Sequence, residues 1–179
     1  LDMTCWKPFA SCRAVPATAA LFAAALTAFA AVPAARAEIL QLSATGFVSR
    51  GVTSSTDDEN AGMLLNATGQ YYAIVPFSVA GMRVCSFSLW YRDNDADHDI
   101  RARLLRKRVV VGGDAFAAPV VMAQVTSTGA VSTMQRASTT AITNPVIAPG
   151  AAIYYVDLDI PFSALEIVGV QIVHKATCP

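Results

Sequence analysis

The fold class is decided by residues 82–106, MRVCSFSLWYRDNDADHDIRARLLR. Apolar and polar side chains alternate along residues 83–91, which is typical of a β-strand with one face in the core. The inward-facing side chains are predicted to be Cys85, Phe87, Leu89 and Tyr91. Trp90 then lies on the outward face beside Ser86 and Ser88, so this strand is predicted to present one large aromatic ring to solvent.

A second strand follows the acidic turn, and its first residues alternate in the same way. Its inward side chains are predicted to be Ile100, Ala102 and Leu104, and its outward ones Arg101, Arg103 and Leu105. Five of the residues 101–108 are basic, but the preceding turn carries four Asp that partly cancel their charge. We interpret the basic run as a solvated outer face that also opposes edge-to-edge pairing, and not as a polyanion site.

The rest of the chain shows runs rich in Val, Ile, Thr, Tyr and Phe, separated by turn clusters. Such a pattern, with a turn about every ten residues, indicates a β-sandwich or barrel. It predicts one strand over residues 39–49, and a hairpin in which residues 127–129 join strands 120–126 and 131–142. In the last strand the inward parity changes at Gly169, which predicts either a β-bulge or burial of both faces there.

The first 37 residues are predicted to be a cleaved signal peptide. Lys7 and Arg13 form a positive region, residues 17–32 are apolar and Ala-rich, and Ala35 and Ala37 supply the small side chains that signal peptidase recognises. The apolar run is about 16 residues, short for a ~30 Å hydrocarbon core, and no second run of that length follows. We therefore expect a secreted or periplasmic protein without a transmembrane span after cleavage; a retained N-terminal anchor is the alternative.

The charge and length of the remaining chain, residues 38–179, limit its class of partner and its number of domains. The whole sequence has 13 basic and 13 acidic side chains, of which three basic and one acidic lie in residues 1–37, so 10 basic and 12 acidic remain. The resulting net charge of about −2 favours neither nucleic acid nor an anionic membrane as a partner. A chain of this length can bury a core of its own, so we expect a single domain over residues 38–179.

Two cysteines, Cys85 and Cys178, lie outside the predicted signal peptide. An even pair in a chain bound for an oxidising compartment predicts a disulfide between them. On the chain-entropy model this bond could stabilise the fold by up to ~4 kcal/mol. Two buried free thiols are the alternative.

The acidic turn has the highest density of candidate metal ligands. Asp93, Asp95, Asp97 and Asp99 occupy alternating positions, and calcium takes about six to eight oxygen ligands. No cofactor is predicted, and calcium held by these four carboxylates is the one candidate that the sequence allows. The turn lacks the glycine and the distal glutamate of an EF-hand. The alternative is turn chemistry, in which Asp and Asn side chains bond their own backbone two residues on.

Trp90 is the candidate ligand-stacking residue. An outward aromatic ring beside two serines is where a carbohydrate would stack, although singly exposed apolar side chains are common on protein surfaces. A groove lined by Tyr71, Tyr72 or Trp90 would favour carbohydrate binding.

Motifs for catalysis are absent from the sequence of residues 38–179. The sequence has two histidines, His98 and His174, and it has no nucleophile elbow, zinc-protease helix motif, phosphate-binding glycine loop or Cys-x-x-Cys pair. We therefore predict that the protein is not an enzyme. A hydrolase with a spatially assembled site is the alternative, because a catalytic triad has no fixed order in the sequence.

Several short motifs, in their order along the chain, resemble a group of bacterial secreted domains with no assigned activity. They are ATGFVSR at 44–50, VAGM at 79–82, YRDND at 91–95, LLR at 104–106, STG at 127–129, YY at 154–155 and LEIVGVQI at 165–172. The resemblance covers nearly all of residues 44–173, with Val79-Ala80 in place of the usual Leu-Pro. It implies an all-β, antiparallel, jelly-roll-like sandwich of about eight to nine strands, and it implies no catalytic residues.

These observations predict an exported, non-catalytic structural or interaction module of the cell envelope or extracellular space. A calcium-assisted carbohydrate-binding domain and a hydrolase are the alternative functions. The expected partner is a protein or a glycan at the cell surface, and edge strands offer a route to self-association.

Overall fold

The computed structural model describes residues 36–50, 56–58, 63–65, 68–110, 112 and 117–179. The predicted signal peptide, apart from its last two residues, lies outside this set. The strands are β1 (Glu38–Ser43), β2 (Val48–Ser49), β3 (Thr56–Asp58), β4 (Met63–Leu65), β5 (Gly69–Ile74), β6 (Arg83–Asp93), β7 (Arg101–Arg108), β8 (Val120–Thr126), β9 (Val131–Thr139), β10 (Ala152–Ile160) and β11 (Leu165–Lys175). A 3-10 turn spans Ala44–Gly46. None of the described helices has the length and apolarity needed to cross a bilayer.

The strands form two antiparallel sheets that pack face to face, and this confirms the predicted β-sandwich. Sheet A has the order β3-β4-β11-β6-β9, and β1 also pairs with β11. Sheet B has the order β2-β5-β10-β7-β8. The two strands of the opening stretch, β6 and β7, therefore lie in different sheets, and the acidic turn carries the chain from one sheet to the other.

The core lies between the sheets and contains the inward residues that alternation predicts. Phe87 and Leu89 of β6 and Val156 and Leu158 of β10 are each 0% exposed. Complete burial of such a side chain contributes about 1.5–3 kcal/mol. Burial also specifies the register of these strands, because a slip of one residue would turn all four side chains to solvent.

The predicted bulge at Gly169 is confirmed. Ile167 lies opposite Tyr91 and Gly169 lies opposite Trp90, so Val168 is an extra residue in β11. The bulge lets the inward parity change within one strand, and it places the glycine directly beside the outward tryptophan.

A second bulge corrects the inward set predicted for β6. Val173 lies opposite Ser86 and His174 lies opposite Val84, so Cys85 is the extra residue. Val84, and not Cys85, joins the packed core cluster. Cys85 is buried, as predicted, but Val84 is buried beside it, because period-two alternation does not continue through a bulge.

The predicted disulfide between Cys85 and Cys178 is confirmed. The two Cα atoms are 5.3 Å apart, and the residues are separated by 93 positions in sequence. The bond attaches the C-terminal segment to the start of β6, so it closes a loop that contains both strands of the opening stretch.

One predicted hairpin and one predicted strand were wrong. The hairpin expected from residues 120–126 and 131–142 does not form, because β8 pairs with β7 in sheet B while β9 pairs with β6 in sheet A. The strand expected over residues 39–49 is divided by the 3-10 turn into β1 in sheet A and β2 in sheet B. Both errors have one cause: a short polar connection can close a hairpin or cross between sheets, and local sequence does not distinguish the two.

Arg101, Arg103 and Lys107 of the basic run lie on the outer face of sheet B, as predicted, whereas Arg106 and Arg108 share the parity of the inward Ala102 and Leu104. Arg101 Nη2 is 2.5 Å from Asp159 Oδ2, and Arg103 forms an ion pair with Asp157. Since β7 lies between β10 and β8, it is not an edge strand, and the predicted role in opposing edge-to-edge pairing was wrong.

Candidate ligand-binding face

Asp93 begins the acidic turn and is completely buried. Its Oδ2 accepts a hydrogen bond from Ser127 Oγ at 2.6 Å, and its Oδ1 accepts one from the Asp95 amide at 3.0 Å. Ser127 Oγ in turn accepts a hydrogen bond from the Ile100 amide at 2.7 Å. Asp93 therefore connects the end of β6, the residue before β7 and the crossing after β8, which is a structural role.

Asp95 organises the backbone of the same turn. Its Oδ1 accepts hydrogen bonds from the amides of Asp97 at 2.8 Å and His98 at 2.9 Å, and His98 Nδ1 lies 2.9 Å from the same oxygen. The bond from the Asp97 amide, followed by that from the His98 side chain, lowers the pKa of Asp95. The His98 ring stacks on Phe162 with 5.2 Å between centroids, so the turn is anchored to the loop after β10.

These contacts are the turn chemistry that the sequence offered as the alternative to a metal site. Asp93 and Asp95 each accept a hydrogen bond from the amide two residues on, while Asp97 and Asp99 are exposed. Within the ranges that the structure describes, no three His, Cys, Asp or Glu side chains are grouped so that they could hold a metal ion. The four carboxylates are not brought together, and calcium binding stays a prediction.

Trp90, unlike the acidic turn, lies among side chains from several strands. They are the outward residues of four neighbouring strands of sheet A. Across β1, β11, β6 and β9, one row of register partners is Ser43, Gly169, Trp90 and Arg136. The adjacent row is Gln41, Gln171, Ser88 and Ser138. These two rows are called the Trp90 face below. Trp90 is outward as predicted, with its side chain half-buried.

Gly169 lies in a groove beside Trp90. A Cβ at residue 169 would lie 2.5 Å from the backbone oxygen of Leu42, so β1 can pair this closely with β11 only because residue 169 has no side chain. The groove above it has a volume of ≈ 460 Å³. Its lining residues are Gln41, Leu42, Ser43, Trp90, Val168, Gly169, Val170 and Gln171.

Arg136 covers Trp90 from the opposite side. Its guanidinium carbon lies 5.3 Å from the ring centroid, in cation–π contact. Its Nη2 donates hydrogen bonds to Ser88 Oγ at 2.9 Å and to Gln171 Oε1 at 3.3 Å. The groove is lined by residues of β1 and β11 together with Trp90, so it lies on the β11 side of the indole ring. Arg136 belongs to β9 and lies on the other side of the ring.

Sequence reasoning identified Trp90 and missed the other members of the Trp90 face. Arg136 and Gln171 occupy outward positions of strands that were predicted, so their parity was the signal that could have marked them. Gln41 was less accessible to prediction, because its place beside β11 follows from long-range pairing and not from the pattern of its own strand.

The two histidines lie apart, and each has its own contacts among the described residues. His174 is buried, its Nε2 lies 3.6 Å from Glu38 Oε2, and its ring packs edge-on against Phe77. His98 is exposed and contacts Asp95. In the described part of the chain neither ring is bonded to a hydroxyl group, so no nucleophile stands beside a base there.

Sheet B carries a second groove, of ≈ 470 Å³, on its outer face. Tyr72 and Tyr155 line it, and burial, followed by the nearby Asp157 carboxylate, raises the pKa of Tyr155. Its charged residues Arg103 and Asp157 already satisfy each other as an ion pair. Tyr71 lies in the core at 1% exposure and therefore lines neither groove.

Comparison with known proteins adds distant structural likenesses. No protein-family model matches the chain, and no curated protein matches it. The chain is similar to a Clostridium thermocellum xylanase 10B structure (CBM22-1 and GH10 modules with xylohexaose) at 16% identity and TM-score 0.47, covering 78% of this chain and 28% of that one. It is similar to the CBM36-1 domain of a multidomain xylanase from the hindgut metagenome of Trinervitermes trinervoides at 12% identity and TM-score 0.44, covering 76% and 96%. The xylan-binding module CBM15 shows 10% identity and TM-score 0.45, with coverage of 77% and 97%.

Proposed function

We propose that this chain is a non-catalytic module that binds a glycan on the Trp90 face. The observation that carries the proposal is the groove of ≈ 460 Å³ that is lined by Trp90 and by residues of β1 and β11, Gly169 among them. The carbohydrate-binding alternative is thus preferred to a purely structural role, and it does not depend on calcium.

The chemistry of the groove fits a sugar. A pyranose ring has an apolar face of C–H groups and an edge of hydroxyl groups. The indole ring of Trp90 provides an apolar platform for the first. Gln41 and Gln171 line the same groove, and each amide can both donate and accept hydrogen bonds, as the hydroxyl edge requires. Apolar walls with a few placed polar groups are typical of small-ligand sites.

The extent of the face fits more than one sugar ring. Four strands at a spacing of about 4.8 Å place the ends of one row ~14 Å apart. The second row adds the side chains of Gln41, Gln171 and Ser138 along the same direction, whereas Ser88 is completely buried and bonded to Arg136 and Ser138. We therefore expect an oligosaccharide or polysaccharide segment as the ligand, lying across the strands.

Export is part of the proposal. Residues 1–37 would direct the chain out of the cytoplasm and be removed, leaving residues 38–179 as the binding module. The disulfide between Cys85 and Cys178 supports this location, since such bonds persist in oxidising compartments.

Affinity electrophoresis through gels that contain xylan, mannan, mixed-linkage glucan or a uronic-acid polymer tests the proposal. At least one polymer should retard residues 38–179, and Trp90→Ala should weaken that binding by about 30-fold, equivalent to ~2 kcal/mol. Tyr72→Ala removes an exposed ring from the opposite sheet and should bind like the wild type. Absence of retardation in every gel, or equal retardation of the wild type and Trp90→Ala, would instead favour a structural or protein-binding module.

A further inference from the structure

Arg136 carries a positive charge that no acidic side chain neutralises among the described residues. Arg92 projects from the same sheet face and forms an ion pair with Glu166 at 2.8 Å. On sheet B, Arg101 and Arg103 pair with Asp159 and Asp157. Arg136 is exposed, and the groups around its guanidinium are an aromatic ring, a hydroxyl and an amide oxygen. Its charge is therefore available to a ligand.

Contacts within the Trp90 face hold the Arg136 guanidinium in place but do not use all of its N–H donors. Its contact with Trp90 and the two hydrogen bonds donated by Nη2 restrict its orientation. Those two bonds use Nη2 alone, so the donors on Nε and Nη1 are left for a ligand. A planar fork of N–H donors on a guanidinium matches a carboxylate in two parallel hydrogen bonds.

We propose that the Trp90 face selects an acidic glycan, with the carboxylate of a uronic acid residue paired to Arg136 while a neighbouring sugar ring packs on the groove side of Trp90. This inference rests on the proposed glycan-binding function and adds the chemical class of the ligand. The chain outside residues 1–37 has a net charge of about −2, so a general attraction to polyanions does not account for the cation at this site.

The experiment compares uronic-acid polymers with their own carboxyl-reduced forms. Polygalacturonate, alginate and glucuronoxylan are each tested by isothermal calorimetry before and after reduction, against the wild type, Arg136→Gln, Arg136→Lys, Arg108→Gln and Trp90→Ala. Arg108→Gln removes one exposed positive charge from the opposite sheet and so controls for net charge. Thermal melts of each variant confirm that it is folded.

We expect the wild type to bind at least one acidic polymer about tenfold or more tightly than its reduced form, as charge-assisted hydrogen bonds predict. Arg136→Gln should remove that preference, so that it binds the acidic polymer and its reduced form about equally. Arg136→Lys should retain part of it, and Arg108→Gln should retain all of it. Added salt should weaken binding of the acidic polymer only.

The two proposals fail in different ways. Equal binding of acidic and reduced polymers, with both lost in Trp90→Ala, would overturn the acidic specificity and leave the glycan site in place. A preference that survives in Arg136→Gln would also overturn it. No binding to any polymer, neutral or acidic, would overturn the glycan site itself.

Discussion

Gly169 of β11 lies directly opposite Trp90 of β6 on one side and pairs with Ser43 of β1 on the other. The missing side chain of Gly169 admits the backbone of Leu42, and Gly169 also lines the groove beside the tryptophan ring. The close pairing of β1 with β11 and the lining of the groove therefore meet at one residue.

Gly169→Ala should destabilise the fold by about 1–3 kcal/mol, because the new Cβ would meet Leu42 O at 2.5 Å and β1 would have to move. Urea unfolding at equilibrium measures the change. Gly46→Ala is the control: a Cβ there meets nothing within 4 Å, so its effect should be within about 0.5 kcal/mol. Equal stability of the two variants would show that β1 adapts to the added methyl group.

Ser127→Ala should be among the more damaging single substitutions, although it removes only one oxygen atom. It would leave the Ile100 amide and Asp93 Oδ2 without their buried partner, at a cost of about 1–3 kcal/mol for each group. Thr128→Ala, next in sequence and exposed, should cost under about 0.5 kcal/mol. Denaturant midpoints of the two variants measure the difference. Similar midpoints would contradict a structural role for the hydrogen bonds of Ser127 with Ile100 and Asp93.

Reduction of the Cys85–Cys178 disulfide should lower the free energy of unfolding by up to ~4 kcal/mol, because the bond closes a loop across 93 positions. Thermal melts with and without a thiol reductant give the measurement. The double variant Cys85→Ser and Cys178→Ser should melt like the reduced wild type and should not respond to reductant. A reductant effect in the double variant would point to a cause other than this bond.

Stability should depend on pH through Asp95. Its pKa in the folded protein is lowered from the ordinary 3.8, so the unfolded state binds a proton first as pH falls. The stabilisation is present above the ordinary value and is lost as pH drops through the lower folded value. Asp95→Asn should therefore melt below the wild type at pH 6, with the difference shrinking toward pH 2 to 3. A difference that stays constant over this range would exclude the titration of Asp95 as its cause.

Thermal melts with and without calcium test whether the acidic turn binds this ion. Asp93 is buried with both oxygens bonded, and one oxygen of Asp95 already accepts three contacts, so we expect melting curves in millimolar calcium and in chelator to coincide. An ion at about a hundred times its dissociation constant would stabilise the fold by ~2.7 kcal/mol and raise Tm by several degrees. A rise of that size that disappears in Asp97→Ala and Asp99→Ala would establish the calcium site.

Patterns of period two were the most informative part of the sequence. They placed Phe87 and Leu89 inward and Trp90 outward, and they located the bulge at Gly169. The disulfide was also predictable, because two cysteines outside the signal peptide allow one pairing. Each of these inferences uses information that lies within one strand or one pair of residues.

By itself, then, the sequence determined the strand segments around β6, β7, β8 and β10, the burial of Phe87, Leu89 and Ile100, and which cysteines are joined. Only the tertiary structure decided which strands are neighbours: it separated β8 from β9, divided residues 39–49 between two sheets, and brought Arg136, Gln171 and Gln41 to the side of Trp90. The physical reason is that alternation is a local consequence of burying one face, whereas pairing is chosen by the packing of the whole sandwich. The candidate site lies on strands far apart in sequence, so it exists only once those strands are paired.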